Sequence, residues 1–321
     1  MGQTSARFAV IAVTVFALAM ALNLGAFAVA FKLPDKRSIG VCSMVDQRIA
    51  LAKAAPSPKM LLVGGSGTTQ GVNAQALSDA LGIRAQNFGL QGSFGPGFEL
   101  FLAQKALRPG DTVLLSLEYS AYVMDKPTDI ALDVMAGCGR DYLARYALAE
   151  RLQIAAGFPL NALLDRATFA AAPETPKDLP AYTAWGDRPP GYYAAPAKAQ
   201  MRRVALYRPI HVIMLPDAAA AREITEFLDW AQDNQVSVIA TWPNTLEFEE
   251  YRTMPGFGQI RRFYEDLGVP VVGEPQIAML TAEYMNDTQY HLNDAGIHVR
   301  TARLAEALAQ RPELLASLRS N

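Results

Sequence analysis

From Phe8 to Phe31 the chain carries no charged residue and reads FAVIAVTVFALAMALNLGAFAVAF. At about 1.5 Å of rise per residue, roughly twenty apolar residues in a helix cross a bilayer core. Only Thr14 and Asn23 are clearly polar, so residues 1–31 read as a transmembrane anchor or a signal segment. Ala26-Phe27-Ala28 and Ala28-Val29-Ala30 have the small-x-small form of a cleavage site. The run nevertheless exceeds the usual signal-peptide core, which favours an uncleaved anchor. Arg7 precedes the run, while Lys32, Lys36 and Arg37 follow it. Taken literally, that distribution opposes export of the C-terminal body. A single N-terminal anchor ahead of a large domain ordinarily translocates it, so an exported body is expected.

The remaining 280 or so residues fit one large domain with an insertion. With 51% hydrophobic residues a sizeable core can be buried, and a net charge of −2 gives no electrostatic basis for nucleic-acid binding. Two cysteines, Cys42 and Cys138, can form one disulfide in an oxidising compartment or remain thiols; neither has metal-ligand spacing.

Residues 32–56 read as a linker leading into a short helix, punctuated by Pro34 and Pro56. Lys59 to Val63 is then a buried strand ending at Gly64-Gly65, followed by a helix over 72–81 and a second strand from Arg84 to Phe88. A helix from Phe98 to Leu107 and a third strand, Asp111 to Glu118, complete a strand–helix series that implies a parallel sheet with helices on both faces. The pattern breaks over about 123–208, helical at first and then rich in Pro, Tyr and Ala. It reads as an insertion, either a binding lid or a surface excursion. The alternation resumes with a helix near 218–233, a strand Val236 to Ala240, a helix over 256–267, a short fifth strand Val269 to Val272 and a last helix from Asn293 to Gln310. Residues 311–321 read as a tail. The fold expected is a three-layer, flavodoxin-like α/β domain over 57–310.

Ligands of such sheets bind at the carboxyl ends of the strands. Three polar sequences fall there: Gly64-Gly65-Ser66-Gly67-Thr68-Thr69, Asn87-Phe88-Gly89-Leu90-Gln91-Gly92-Ser93, and Asp287-Thr288-Gln289-Tyr290-His291-Leu292-Asn293. The glycines around Ser66 let the chain turn sharply and leave its hydroxyl open. A serine needs a base to accept its proton, and histidine suits that role near neutral pH. Asp287, four residues from His291, can orient the imidazole from its other nitrogen. The backbone N–H groups of Ser66 and Gly92 are candidate oxyanion donors.

Other chemistries fit less well. The glycines of residues 65–71 resemble a loosened dinucleotide-binding pattern, yet the second strand ends at Asn87 with no acidic residue to hold a ribose. No Lys follows the glycines, which excludes a P-loop. Thr68 breaks the Gly-x-Ser-x-Gly elbow. No metal or cofactor site is expected.

The three blocks, in order and over roughly 57–310, resemble those of the SGNH/GDSL hydrolase superfamily, more narrowly its membrane-anchored members in bacterial envelopes. Gly64-Gly65-Ser66-Gly67-Thr68 resembles the nucleophile block, with Gly65 where the family has Asp. The segment ending at Gly92 resembles the block that gives a glycine amide to the oxyanion hole. Asp287 and His291-Leu-Asn resemble the last block, with spacing one residue longer than usual. The third block normally supplies an asparagine; here the segment is Leu117-Glu118-Tyr119-Ser120. Ser120 is the candidate substitute donor, and Glu118 reads as a structural carboxylate on a core turn.

The resemblance implies a serine-dependent acyl-ester hydrolase or O-acyltransferase with Ser66, His291 and Asp287 as its triad. It would act without a cofactor on an acylated small molecule or polysaccharide of the envelope. The location implied is the bacterial inner membrane, with the body in the periplasm or outside, or secretion after cleavage. The alternative is a non-catalytic glycan-binding or envelope-assembly protein with protein partners, for which Tyr182, Trp185, Tyr192 and Tyr193 offer aromatic faces suited to sugars.

Overall fold

The computed structural model describes residues 2–30, 33, 36–157, 160–171, 181–193 and 202–319. Lys32 of the flanking charge count, Pro34 of the expected linker, and residues 158–159, 172–180 and 194–201 of the expected insertion lie outside that set. The chain divides into two units, Met1–Met44 with Asp129–Leu179, and Val45–Thr128 with Pro180–Asn321.

The first unit is helical. Helix α1, Gly2–Ala30, is long and apolar enough over Ser5–Val29 to cross a membrane. Its apolar side chains are exposed, Phe8 at 75% and Leu22 at 73%. The hydroxyl of Thr14 donates to Val10 O, 2.8 Å away, so this polar side chain is satisfied within its own helix. Residues 36–54 are not a linker: they form the 19-residue helix α2, Lys36–Ala54. The apolar positions of SIGVCSMV followed by RIALAKA sustain helical periodicity, and no proline interrupts it until Pro56. Its first part carries Cys42, disulfide-bonded to Cys138 at the end of α6, Asp129–Cys138. The single turn α7, Arg140–Leu143, comes next. Helices α8, Leu148–Gly157, and α9, Leu160–Ala171, pack against α1. Arg166 of α9 is held to Asp133 of α6 at 2.6 Å with its side chain 1% exposed.

The second unit is the α/β part. Four strands, β1 Met60–Gly64, β2 Ala85–Gly89, β3 Thr112–Leu115 and β4 Ser237–Ala240, form a parallel sheet in the order β2-β1-β3-β4. The first three are buried along their whole length, as near-continuous apolar runs in a covered parallel sheet should be. Register sets Gly64 opposite Gly89 and Val63 opposite Leu115, so the carboxyl ends of β1, β2 and β3 share one edge. Between β1 and β2 lie the single turn α3, Ser66–Thr69, and α4, Ala74–Leu81. Ala76 N–H donates to the Asn73 side chain at 2.7 Å and caps α4, which ends at Gly82 with φ 64°. Helix α5, Pro96–Gln104, packs on β1; α10, Ala219–Asp233, packs on β4. Helix α11 is Gly256–Asp266, and α12 is Asp294–Ala309. Met60, Leu62, Leu77, Leu114, Ile239 and Leu304 meet in the core.

Two expectations change here. The fifth strand reduces to one parallel bridge between Ala240 and Val271: Pro270 has no N–H to donate, and Gly273, at φ 75°, turns the chain away. A two-stranded sheet, β5 Thr245–Leu246 with β6 Met279–Leu280, forms instead beyond β4. The stretch after Gln310 is no loose tail, because Leu315 and Leu318 of the 3₁₀ turn Pro312–Leu318 are buried in the core.

The insertion is also not one element. Asp129–Leu179 groups with the N-terminal residues, while the chain from Pro180 belongs to the α/β unit. There Asp187 accepts from Ala74 N–H at 2.9 Å and Gln75 N–H at 3.0 Å, and Arg48 donates to Asn87 O at 2.9 Å and to Gly186 O.

At the amino edge of the sheet Lys59 Nζ meets Asp111 Oδ2 at 2.6 Å with both side chains fully buried. Asp111 also accepts from Lys59 N–H at 3.1 Å and Arg108 N–H at 3.0 Å. Asp111→Ala would strand a buried ammonium. Urea denaturation is expected to show a loss of about 3–5 kcal/mol, with the midpoint lowered and the slope retained.

Candidate active site

Gly65 and Ser66 leave β1 at the carboxyl edge. Gly65 has no room for a side chain: a Cβ there would come within 2.5 Å of Gly92 N and 2.8 Å of Glu118 Oε1. That contact is the physical reason a glycine stands at 65. Ser66 is the first residue of α3 and is half-buried, with Gly67, Thr68 and Thr69 buried behind it. Asn87, in the middle of β2, fixes this turn by donating to Thr68 O at 3.3 Å and Val72 O at 3.0 Å, while accepting from Gly89 N–H at 2.9 Å.

The third polar sequence arrives from the far end of the chain. Met285 and Leu292 form an antiparallel bridge that closes a loop holding Asp287 and His291. Leu292 N–H donates to Gln70 O at 3.1 Å and Leu246 N–H to Gln289 O at 2.8 Å, tying the loop to the Ser66 turn and to β5. Asn244 donates from Nδ2 to Tyr290 O. Asn293 caps α12 through Gly296 N–H at 3.0 Å and donates to Glu283 O at 2.7 Å.

These supports bring Ser66, His291 and Asp287 into one chain of contacts. His291 Nε2 is 2.8 Å from Ser66 Oγ, and His291 Nδ1 is 2.8 Å from Asp287 Oδ1. A carboxylate can only accept, so Nδ1 carries the proton and Nε2 is left to accept from the serine hydroxyl. The imidazole is 15% exposed and the Asp287 side chain 42%, a site open to a substrate on one side.

Gly92 lies at the same place, with its amide against Gly65. Among the described residues the N–H groups of Ser66 and Gly92 have no hydrogen-bond partner, which leaves both able to receive an oxyanion. Ser120 is not brought in: it is exposed on the 3₁₀ turn Tyr119–Val123 and makes no hydrogen bond to Ser66, Gly92 or His291. Glu118 is there instead. Its Oε1 accepts from Gly67 N–H at 2.8 Å and lies 3.4 Å from Ser66 Oγ. Its Oε2 sits against Gly92, where any Cβ would overlap it. The turn that Glu118 holds is therefore the Ser66 turn itself. Burial raises its pKa, and the Gly67 N–H, the charge of His291 and the Ser66 hydroxyl oppose that shift.

A second carboxyl, Glu99 of α5, is 2% exposed, and among the described residues Oε1 has no hydrogen-bond partner. Burial, and next the nearby Glu118, push its pKa well up. The signal for Glu118 was available in its position just past the third strand. Asn244 had the same signal after the fourth strand, in Thr241-Trp242-Pro243-Asn244.

The aromatic side chains of the former insertion are engaged by arginines. Arg48 lies 4.0 Å over the Tyr182 ring, Arg84 4.9 Å over Trp185 and Arg188 4.6 Å over Tyr192. Tyr193 is buried. No group of three or more His, Cys, Asp or Glu suited to a metal ion occurs among the described residues. No family model matches the sequence, and a search of curated proteins finds no match, so function has to be argued from this geometry.

Glu99 and Glu118 hold their protons more tightly folded than unfolded. As pH rises above the ordinary carboxyl range, the unfolded chain releases protons that the folded chain retains, and stability falls. Glu99→Gln removes one such group. Its thermal midpoint is expected to gain on wild type more at about pH 8 than at about pH 4, as differential scanning fluorimetry would measure.

Proposed function

We propose that the α/β unit is an SGNH-type acyl-ester hydrolase or O-acyltransferase acting on an acylated cell-envelope substrate. The observation that carries this reading is the relay Ser66–His291–Asp287, with 2.8 Å at each link. The parallel order β2-β1-β3-β4 and the placement of all three groups at the carboxyl edge support it.

In this reading Ser66 Oγ bonds to the acyl carbon as its proton passes to His291 Nε2. The carbonyl electron pair moves onto oxygen, which faces the Ser66 and Gly92 amides. Collapse breaks the bond to the leaving alcohol, and that alcohol takes the proton from His291. Water or a second hydroxyl then attacks the acyl-serine by the same route, releasing acid or a new ester and restoring the Ser66 hydroxyl. Asp287 holds the imidazole and stabilises its protonated form.

The reading extends to location. Helix α1 would cross the bacterial inner membrane, with the α/β unit on the oxidising side. The disulfide Cys42–Cys138 supports this, since such bonds persist outside the cytosol. In intact cells both cysteines are expected to resist alkylation until a reductant is added; ready alkylation without one would place them in the cytosol.

One observation favours the alternative, a non-catalytic envelope-binding or assembly protein: an ionised Glu118 would put negative charge beside the oxyanion position. A fluorophosphonate probe decides between them. Wild type should be labelled, Ser66→Ala should show background labelling only, and His291→Ala should fall by about 10²–10⁴-fold with an unchanged thermal midpoint. Folded wild-type protein that takes no label would favour the binding role.

A further inference from the structure

We infer that Glu118 is the third oxyanion group of this site, donating Oε2–H as a neutral acid to the oxygen of the acyl carbon bonded to Ser66. The inference rests on the hydrolase reading above and assigns a residue that the family pattern leaves without a counterpart.

The geometry excludes the role of base on the Ser66 hydroxyl. The base position on the Ser66 hydroxyl is already taken by His291 Nε2 at 2.8 Å, with Asp287 behind it. Glu118 Oε1 lies farther from that hydroxyl, at 3.4 Å, and is occupied by Gly67 N–H at 2.8 Å. A carboxyl whose Oε1 accepts from that amide carries its proton on the other oxygen. Oε2 is the oxygen packed against Gly92, the residue whose amide is one of the two unpartnered donors. The three donors, Ser66 N–H, Gly92 N–H and Glu118 O–H, are thereby grouped around the nucleophile turn.

The surroundings favour the neutral acid. Glu118 is 7% exposed. The groups that face it are Ser66 and Gly67 from α3, His291 and Tyr290 from the loop before α12, and Glu99 from α5. No lysine or arginine contributes to its electrostatics among the described residues. Burial raises its pKa, and a carboxylic acid held neutral in an apolar site is an effective oxyanion donor. No proton leaves Glu118 in the step. The serine proton goes to His291, and Glu118 lends a hydrogen bond that strengthens as charge develops.

Glu118→Gln tests this, because its amide is a permanent donor of nearly the same shape. The second-order rate of fluorophosphonate labelling is followed in wild type and Glu118→Gln from about pH 6 to about pH 9. Wild type is expected to lose rate toward the alkaline end as its donor ionises, while Glu118→Gln keeps its donor. The ratio of variant to wild-type rate should therefore climb at least ~10-fold across the range. A constant ratio would reduce Glu118 to a turn support. Loss of labelling in Glu118→Gln at every pH, with Ser66-dependent labelling intact in wild type, would show that the ionised form is the one required. Either result overturns the inference and leaves the hydrolase reading standing. Absence of label from both folded proteins at every pH overturns that reading, and this inference with it.

Discussion

Gly64 and Gly89 face each other across the β1–β2 ladder, and the turn bearing Ser66 rests on both of them. A Cβ on Gly64 would strike Ser116 O and Thr68 Oγ1; one on Gly89 would strike the backbone and side chain of Thr69. The Ser66 turn can lie this low only because two paired positions carry no side chain. Once it does, Glu118, just past β3, reaches Gly67, Asn87 in the middle of β2 reaches Thr68 O, and Gln70 O is presented to Leu292. The position of His291 follows from that last contact. The site is thus a consequence of how closely one turn approaches the sheet.

Much of this was legible in sequence because it depends on short-range signals. Buried parallel strands are apolar runs, so β1 and β3 stood out, and glycine clusters mark the strand ends. Ser66, Asp287 and His291 were legible because each sits in a polar stretch beside such an end. The fifth strand failed for a local reason, Pro270, that an apolar pattern conceals. The division of the insertion was invisible for a different reason. Nothing in the composition of Asp129–Leu179 announces that it groups with Met1–Met44, since that grouping depends on contacts such as Cys42–Cys138 and Arg166–Asp133 made far apart in sequence. The role of Glu118 was only partly legible, because a lone carboxylate after a strand has many uses. Only the position of its two oxygens, one on Gly67 and one on Gly92, narrows them.

Residues 181–193 show how a stretch rich in Pro, Gly and Tyr can be ordered without regular structure. Asp187 takes the first two amides of α4, and Asn87 donates to it at 3.3 Å. Asn87 N–H donates to Trp185 O at 2.8 Å. Arg48 and Arg188 both lie over Tyr182. The segment is held by charge-assisted hydrogen bonds and cation–π contacts, with Tyr193 buried and Tyr192 54% exposed.

The separation of 225 residues between Ser66 and His291 also has a temporal side. Chains elongate at about 5–20 residues per second, so the hydroxyl is synthesised roughly 10–45 s ahead of its imidazole. For most of its synthesis the nascent polypeptide holds a serine with no base. A chain threading through a translocation channel would carry no reactive centre past the lipids and sugars it meets on the way. In the hydrolase reading proposed above, reactivity would switch on only when the loop before α12 reaches the Ser66 turn.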